Sequence, residues 1–278
     1  TLFRSSDVVV PKGYLLAVTK ELSAEYADAF GGPDRADSSF TNTQKAISYS
    51  MTSFFTTGGI RGGKKKLDKF YPRSFNMGIR RDVYAELGGF SKMRFGEDID
   101  FSIRIFKAGK KCRLFPDAWV YHKRRTDFRK FWRQVFNSGI ARINLYKKYP
   151  ESLKLVHLLP MVFTLGVVFC CFAMLTGIVF YALQALISFP SAESGWGFFL
   201  YTIGLCLMVL GLSPLLLYSI IIFIDATIKN KCFSVGLRSI VASFVQLMGY
   251  GCGFLQAWWR RCIRGQNEFQ AYEKNFYK

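Results

Sequence analysis

Short apolar runs separated by polar breaks fill the first half of the chain, and long uncharged stretches fill the second. Leu2 and Phe3, then Val8, Val9 and Val10, predict a strand interrupted by Ser5-Ser6-Asp7 and closed by Pro11. A helix is predicted over 14–30, a polar loop over 31–43 and a second helix over 43–55. Residues 74–79 read as a short strand, 81–87 as a helical turn, and Gly88-Gly89-Phe90 as a tight turn that uses glycine's backbone freedom. Gly96-Glu97-Asp98-Ile99-Asp100 opens a further helix, whose apolar residues Phe101, Ile103, Ile105 and Phe106 run out near Gly109. Residues 112–115 and 118–121 read as strands split by Pro116-Asp117, and they deliver His122 and the basic run Lys123-Arg124-Arg125.

Beyond them, Phe128, Phe131, Trp132, Val135, Phe136, Ile140 and Ile143 recur at helical spacing, with Arg129, Lys130 and Arg133 on the other face. Such a helix either lies in a membrane interface with its aromatic stripe in lipid, or faces a soluble core; its place just before a span favours the interface. Residues 155–187 and 195–224 contain no Asp, Glu, Lys or Arg, and each exceeds the roughly 20 residues that cross a bilayer core. A third stretch, 239–259, places Ser239, Ser243, Gln246, Tyr250 and Gly253 on one face, which suits helix packing; an interfacial or re-entrant helix is the alternative.

These patterns divide the chain into an α/β part over 1–126, an amphipathic interfacial helix over 127–150, a membrane region over 151–264 and a tail over 265–278. Within the membrane region, helices are predicted over about 158–187, 196–224 and 239–259. The chain begins without Met and its first strand is already under way at Leu2, so an upstream part is expected.

Charge sets the orientation. The net charge is +19 over 278 residues, and residues 1–154 carry 30 Lys and Arg against 15 Asp and Glu. Lys147, Lys148 and Lys154 precede the first span and the 188–194 connection has no Lys or Arg, which places the α/β part on the cytoplasmic side. Arg260, Arg261 and Arg264 after a third crossing would then face outward, so either the third stretch does not cross or the chain breaks the rule. The basic balance beside two spans points to anionic headgroups and phosphorylated ligands rather than to nucleic acid. None of the seven cysteines forms a C-x-x-C pair, and neither a disulfide framework nor a zinc site is expected. The run Gly58 to Lys66 suggests a phosphate cradle, although Leu67 stands where a Walker A loop needs Ser or Thr.

The order of these motifs resembles the family 2 glycosyltransferases of the GT-A fold, those with C-terminal membrane segments above all. The resemblance rests on the Ser5-Ser6-Asp7 triplet before Val-Val-Val-Pro, on Arg80-Arg81 and Gly88-Gly89-Phe90, on Gly96-Glu97-Asp98, on the stretch from Arg104 to Gly109 and on that from Pro116 to His122. It implies an α/β fold, here the C-terminal part of a nucleotide-diphospho-sugar transferase domain followed by transmembrane helices, in which the base- and ribose-binding half lies upstream. The 278 residues alone are therefore expected to be inactive.

By the same resemblance, Asp98 is the base that takes the acceptor hydroxyl proton. A divalent cation, Mg²⁺ or Mn²⁺, would be held by Asp7, the surviving acid of the family's Asp-x-Asp triplet, and by His122. The alternative for His122 is a structural histidine. Arg124 and Arg125 suit bidentate contacts to a diphosphate, or else form a solvated charge run. Glu97 and Asp100 would orient the base or the acceptor, or simply complement the helix dipole.

The implied activity is sugar transfer, with inversion, from a nucleotide-diphosphate donor to a lipid-linked or envelope glycan acceptor at the cytoplasmic face of the cell membrane. A non-catalytic membrane adaptor derived from a truncated transferase is the alternative. Processive members carry Gln-x-x-Arg-Trp where this chain has Phe131-Trp132-Arg133-Gln134, which favours transfer of single sugars.

Overall fold

A computed structural model describes residues 2–4, 8–35, 37, 39–57, 70–187 and 195–276. The interrupted first strand becomes two strands in two different sheets. β1 (Leu2–Arg4) pairs antiparallel with β5 (Asn76–Ile79), and β2 (Val8–Val9) pairs antiparallel with β7 (Val120–His122). The first sheet has the order β1-β5-β3-β6, in which β3 (Ala29–Gly31) runs antiparallel to β5 and parallel to β6 (Cys112–Leu114). The second has the order β2-β7-β4, with β4 (Asp34–Arg35) parallel to β7.

Two predicted boundaries move for tertiary reasons. The helix expected over 14–30 stops as α1 (Tyr14–Ala24), because Ala29–Gly31 is claimed by β5 on one side and β6 on the other. The polar loop 31–43 contains β4, whose pairing with β7 lies too far along the chain to be read locally. Local chemistry decides other starts. Thr41 and Gln44 form a reciprocal capping box, Thr41 Oγ1 accepting from the Gln44 amide at 3.3 Å and Gln44 Oε1 accepting from the Thr41 amide at 3.1 Å; it opens α2 (Asn42–Thr52). A short helix, α3 (Phe54–Thr57), follows it.

The α/β core forms where apolar faces meet. Phe30 stacks on Phe115 with centroids 4.4 Å apart, and α5 (Glu97–Lys107) buries Phe101 and Ile105 against Met77, Ile79 and the Val83 of α4 (Arg81–Glu86). Arg104 of α5 donates to the carbonyls of Leu87 and Gly89, both at 2.6 Å, so the Gly88-Gly89-Phe90 turn is tied to the helix that carries the candidate acids.

α6 (Phe128–Lys148) starts where Asp127 accepts from the Lys130 amide at 2.7 Å. Its apolar stripe is not left open for lipid, as the sequence predicted. Phe131 and Val135 pack against Ala46, Ile47 and Met51 of α2 and against Val235 and Ala242 of α9 (Phe233–Trp258), while Ile140 and Ile143 meet Phe254 and Ala257 of α9. The two helices therefore lie side by side in the same direction. The physical reason is the small-residue face of α9. A Cβ at Gly253 would overlap the Phe136 carbonyl, and one at Gly139 would overlap the Tyr250 carbonyl.

α7 (Leu159–Ile187) and α8 (Gly195–Asn230) form a close antiparallel pair in which Gly177 faces Gly204 and Gly211 faces Cys170. Their outward faces carry exposed Phe172, Leu175, Phe198 and Leu217. These two helices and α9 are each long and apolar enough to cross a membrane. The base of α8 docks on the α/β part, Tyr49 donating to Asp225 Oδ2 at 2.6 Å.

α9 differs from α7 and α8 because both of its ends touch the α/β part. Near its start Arg238 donates to Thr43 Oγ1 at 2.6 Å. After its end a π-helical turn (Trp259–Ile263) leads to α10 (Glu268–Phe276), where Glu268 accepts from the Arg94 amide at 3.2 Å.

Candidate active site

Gly96, at φ 86°, turns the chain so that Glu97, Asp98 and Asp100 all fall in the first turn of α5. The three acids then meet different surroundings. Asp100 is fully buried, and its oxygens are taken by Arg104 Nε at 3.0 Å, Lys148 Nζ at 2.5 Å and the Tyr149 hydroxyl at 3.0 Å. Burial would raise its pKa, but the hydrogen bonds from Lys148 and Tyr149 more than offset this and hold it lowered. It fastens α5 to the end of α6 and has no free face for an acceptor.

Asp98 is placed differently. Its side chain keeps 16% of its surface; Oδ1 accepts from the Ile99 amide at 2.8 Å and Oδ2 lies 3.5 Å from Arg73 Nη1. Glu97 is half-buried, and its pKa is raised by desolvation first and by the neighbouring Asp98 charge next.

The second group of residues sits on the β2-β7-β4 sheet. His122 stacks on Phe75 with centroids 4.7 Å apart, and its Nδ1 is 3.7 Å from Asp34 Oδ2. Arg124 Nη2 lies 2.7 Å from the same carboxylate oxygen, with the arginine side chain only 9% exposed. Burial alone would raise the Asp34 pKa, yet the neighbouring His122 imidazole and the Arg124 charge bring it down to about 2. The Arg124 carbonyl accepts from Gln44 Nε2 at 3.1 Å, and Arg125 donates from Nε to Gln134 Oε1 of α6 at 3.1 Å.

One stretch of backbone carries both groups. Pro72 accepts from Ser102 Oγ of α5 at 3.1 Å, Arg73 reaches Asp98, Phe75 covers His122, and Asn76 bonds Tyr14 and the Ala118 carbonyl. Arg73 and Phe75 are two residues apart, so their Cα atoms are at most about 7 Å apart. Sequence reasoning missed Arg73, Phe75 and Asp34. Nothing in the local pattern marks them, because each acquires its partner across a long loop.

Asp7 and the Gly58 to Lys66 loop lie outside the described residues. Val8, the neighbour of Asp7, is paired with His122. Among the described residues no group of three or more His, Cys, Asp or Glu side chains could hold a metal. His122 and Asp34 make a pair, and the Arg124 guanidinium already occupies the cationic place beside that carboxylate. This donor set does not suffice for a cation without Asp7. Chemically, the arrangement offers a partly open carboxylate beside an arginine, and a separate imidazole, carboxylate and arginine group on the neighbouring sheet.

The family model described as "Glycosyl transferase family group 2" matches residues 70–224, more than half of the chain. The matched region begins just before Arg73 and runs through Asp98 and His122 into α8. Over 71 residues the chain is 32% identical to the "Probable glycosyltransferase YdaM" of Bacillus subtilis (strain 168), a match that covers 26% of this chain and 16% of that protein. The matched part of the chain thus spans less than a fifth of the curated relative's length.

Proposed function

The chain belongs to glycosyl transferase family group 2, and from that premise we propose that it transfers a sugar, with inversion, from a nucleotide-diphosphate donor to a lipid-linked or envelope glycan acceptor at the cytoplasmic face of the cell membrane. The observation that carries this reading is the environment of Asp98. Of the two acids of α5 that face neither a lysine nor a buried network, it is the one braced by a cation, Arg73, while Asp100 is fully engaged in the core.

In the proposed reaction the Asp98 carboxylate takes the proton of an acceptor hydroxyl. The freed oxygen bonds to the anomeric carbon from the face opposite the diphosphate, as the bond from that carbon to the diphosphate oxygen breaks. Arg73 orients the carboxylate. Arg125, held by the neutral Gln134, keeps its charge for a diphosphate; the guanidinium edge of Arg124 that is not on Asp34 serves the same ligand. Asp7 and His122 would hold a divalent cation, Mg²⁺ or Mn²⁺, which supplies positive charge beside the leaving diphosphate. Glu97 shares the acceptor side of α5 with Asp98.

Packing supports a membrane placement. Residues Arg260, Arg261 and Arg264 return to the side of the α/β part, since Arg261 and Glu268 line one cleft with Met93, Lys147 and Lys148. We therefore assign two crossings, α7 and α8, and place α9 beside α6 along the membrane face. That removes the conflict with the positive-inside pattern. The lipid-facing stripe passes from α6 to α9, whose Phe233, Leu237, Val241 and Trp258 are exposed.

The test is turnover of the full-length protein in native lipid. Asp98→Asn should retain donor binding and lose turnover by about a hundredfold or more, the scale of a missing general base, while Glu97→Gln loses less. Turnover like wild type in Asp98→Asn would reassign the base. Donor binding without any transfer by the wild-type protein would favour a non-catalytic adaptor.

A further inference from the structure

Between α6, the loop leading to Glu97 and the segment that follows α9 lies a cleft of about 350 Å³, lined by Met93, Asn144, Lys147, Lys148, Arg261 and Glu268. We propose that this cleft is a binding site for a phosphate ester bearing a free hydroxyl, the chemistry of a glycerol phosphate headgroup.

Asn144 carries the argument. It is 2% exposed, it lines the cleft, and among the described residues neither its Nδ2 nor its Oδ1 has a hydrogen-bond partner. A buried amide with both ends unmet is rare in folded proteins, because each end has lost water and gained nothing. The Nε of Arg261, on the same wall, is also buried and unmet among the described residues.

The charge around the amide selects the ligand. Lys148 is engaged by Asp100, but among the described residues Lys147 has no ion pair and Arg261 bonds only a neutral carbonyl, that of Gln266, at 3.3 Å. Glu268 is the single acid of the lining, and one of its oxygens accepts from the Arg94 amide. Phosphate oxygens can accept from Lys147, Arg261 and Asn144 Nδ2, and a hydroxyl can donate to Asn144 Oδ1. A bare anion would leave that oxygen unmet, and a neutral polyol would leave the two cations with Glu268 as the one acid beside them.

The position fits a headgroup. Leu153, Leu158 and Met161, on the path from α6 into α7, pack on the Ile140 and Ile143 face of α6, so Asn144 sits where the chain leaves the α/β part for the membrane. The same chemistry could also arrive on a soluble ester. The inference does not rest on Asp98 being the base.

The experiment uses the whole chain and two probes. In detergent, sn-glycerol 3-phosphate is titrated by calorimetry and by its effect on Tm; in phosphatidylcholine nanodiscs, Tm is compared with and without phosphatidylglycerol. Lys147→Gln and Arg261→Gln should each weaken the response by about tenfold, as loss of a charge-assisted hydrogen bond implies. Asn144→Leu, close in size, should abolish the response while leaving the ligand-free Tm equal or higher, because it removes an unmet amide. A response to the soluble ester identifies a metabolite, and a response to phosphatidylglycerol alone identifies a lipid headgroup. The proposal fails if neither probe acts, if all three variants respond like wild type, or if Asn144→Leu lowers the ligand-free Tm with the response intact.

Discussion

Asp98 and Asp100 are two positions apart, about 200° around a helix, so one side chain stays at the open helix start while the other enters the core. Asp100 is the buried member of a group with Arg104 and the half-exposed Lys148, and removing it strands the charges it balances. Asp100→Ala should therefore destabilise by about 3–5 kcal/mol, read as a fall in Tm, whereas Asp98→Asn should leave Tm nearly unchanged. Similar losses in both variants would contradict the division of roles.

Asp34 gives a pH signature of its own. Its carboxyl titrates at about 2 in the folded chain, below the ordinary value near 3.9. The lowered value means that its contribution to stability is present above about pH 3.9 and disappears as pH falls through about 2. Asp34→Asn should lower stability at neutral pH and flatten acid unfolding across that window. Glu97 acts with the opposite sign. Its pKa is raised, so its contribution is fully present below the unfolded carboxyl value and is lost as pH rises through the folded one. Glu97→Gln should thus be neutral or slightly stabilising at neutral pH.

At the scale of elements, the α6 and α9 pair decides where the catalytic part meets the membrane. Its close approach depends on glycines that face backbone. Gly253→Ala forces a methyl into the Phe136 carbonyl and should cost about 1–3 kcal/mol, the usual penalty of overpacking. Gly166→Ala on α7 is the matched control, since a Cβ there meets nothing within 4 Å and helix propensity improves. A Tm loss confined to Gly253→Ala is expected; equal behaviour of the two would mean that α6 and α9 are not in contact in the membrane. The aromatic stripe of α6 follows the same logic. Phe131→Ser should unfold the joint between α2, α6 and α9 and impair donor hydrolysis and transfer alike, while Leu237→Ser on the exposed face of α9 should impair transfer to a membrane acceptor more.

On the scale of the whole molecule, the crossing number is testable directly. A reporter fused after Lys278 should lie on the same side of the membrane as one placed in the α/β part, and a reporter inserted in the 188–194 connection should lie on the other. A C-terminal reporter on the side of the 188–194 connection would restore α9 as a third crossing.

The amino-acid pattern alone determined what depends on nearest neighbours and on solvent. The apolar periodicity from Phe128 to Ile143 announced a helix because side chains three and four positions apart share one face. The uncharged lengths of α7 and α8 announced lipid because no soluble surroundings reward them, and the ordered motifs around Asp98 announced the family. Tertiary structure decided everything that depends on distant partners. It divided the first strand between two sheets, moved Ala29 and Phe30 out of a helix, drew Arg73 to Asp98 and Asp34 to His122, and covered α6 with α9. The reason is physical: an amphipathic stripe states that it must be buried but not against what, and a lone carboxylate carries no mark of the cation that a loop of some 90 residues away in sequence, as Arg124 is from Asp34, will bring to it.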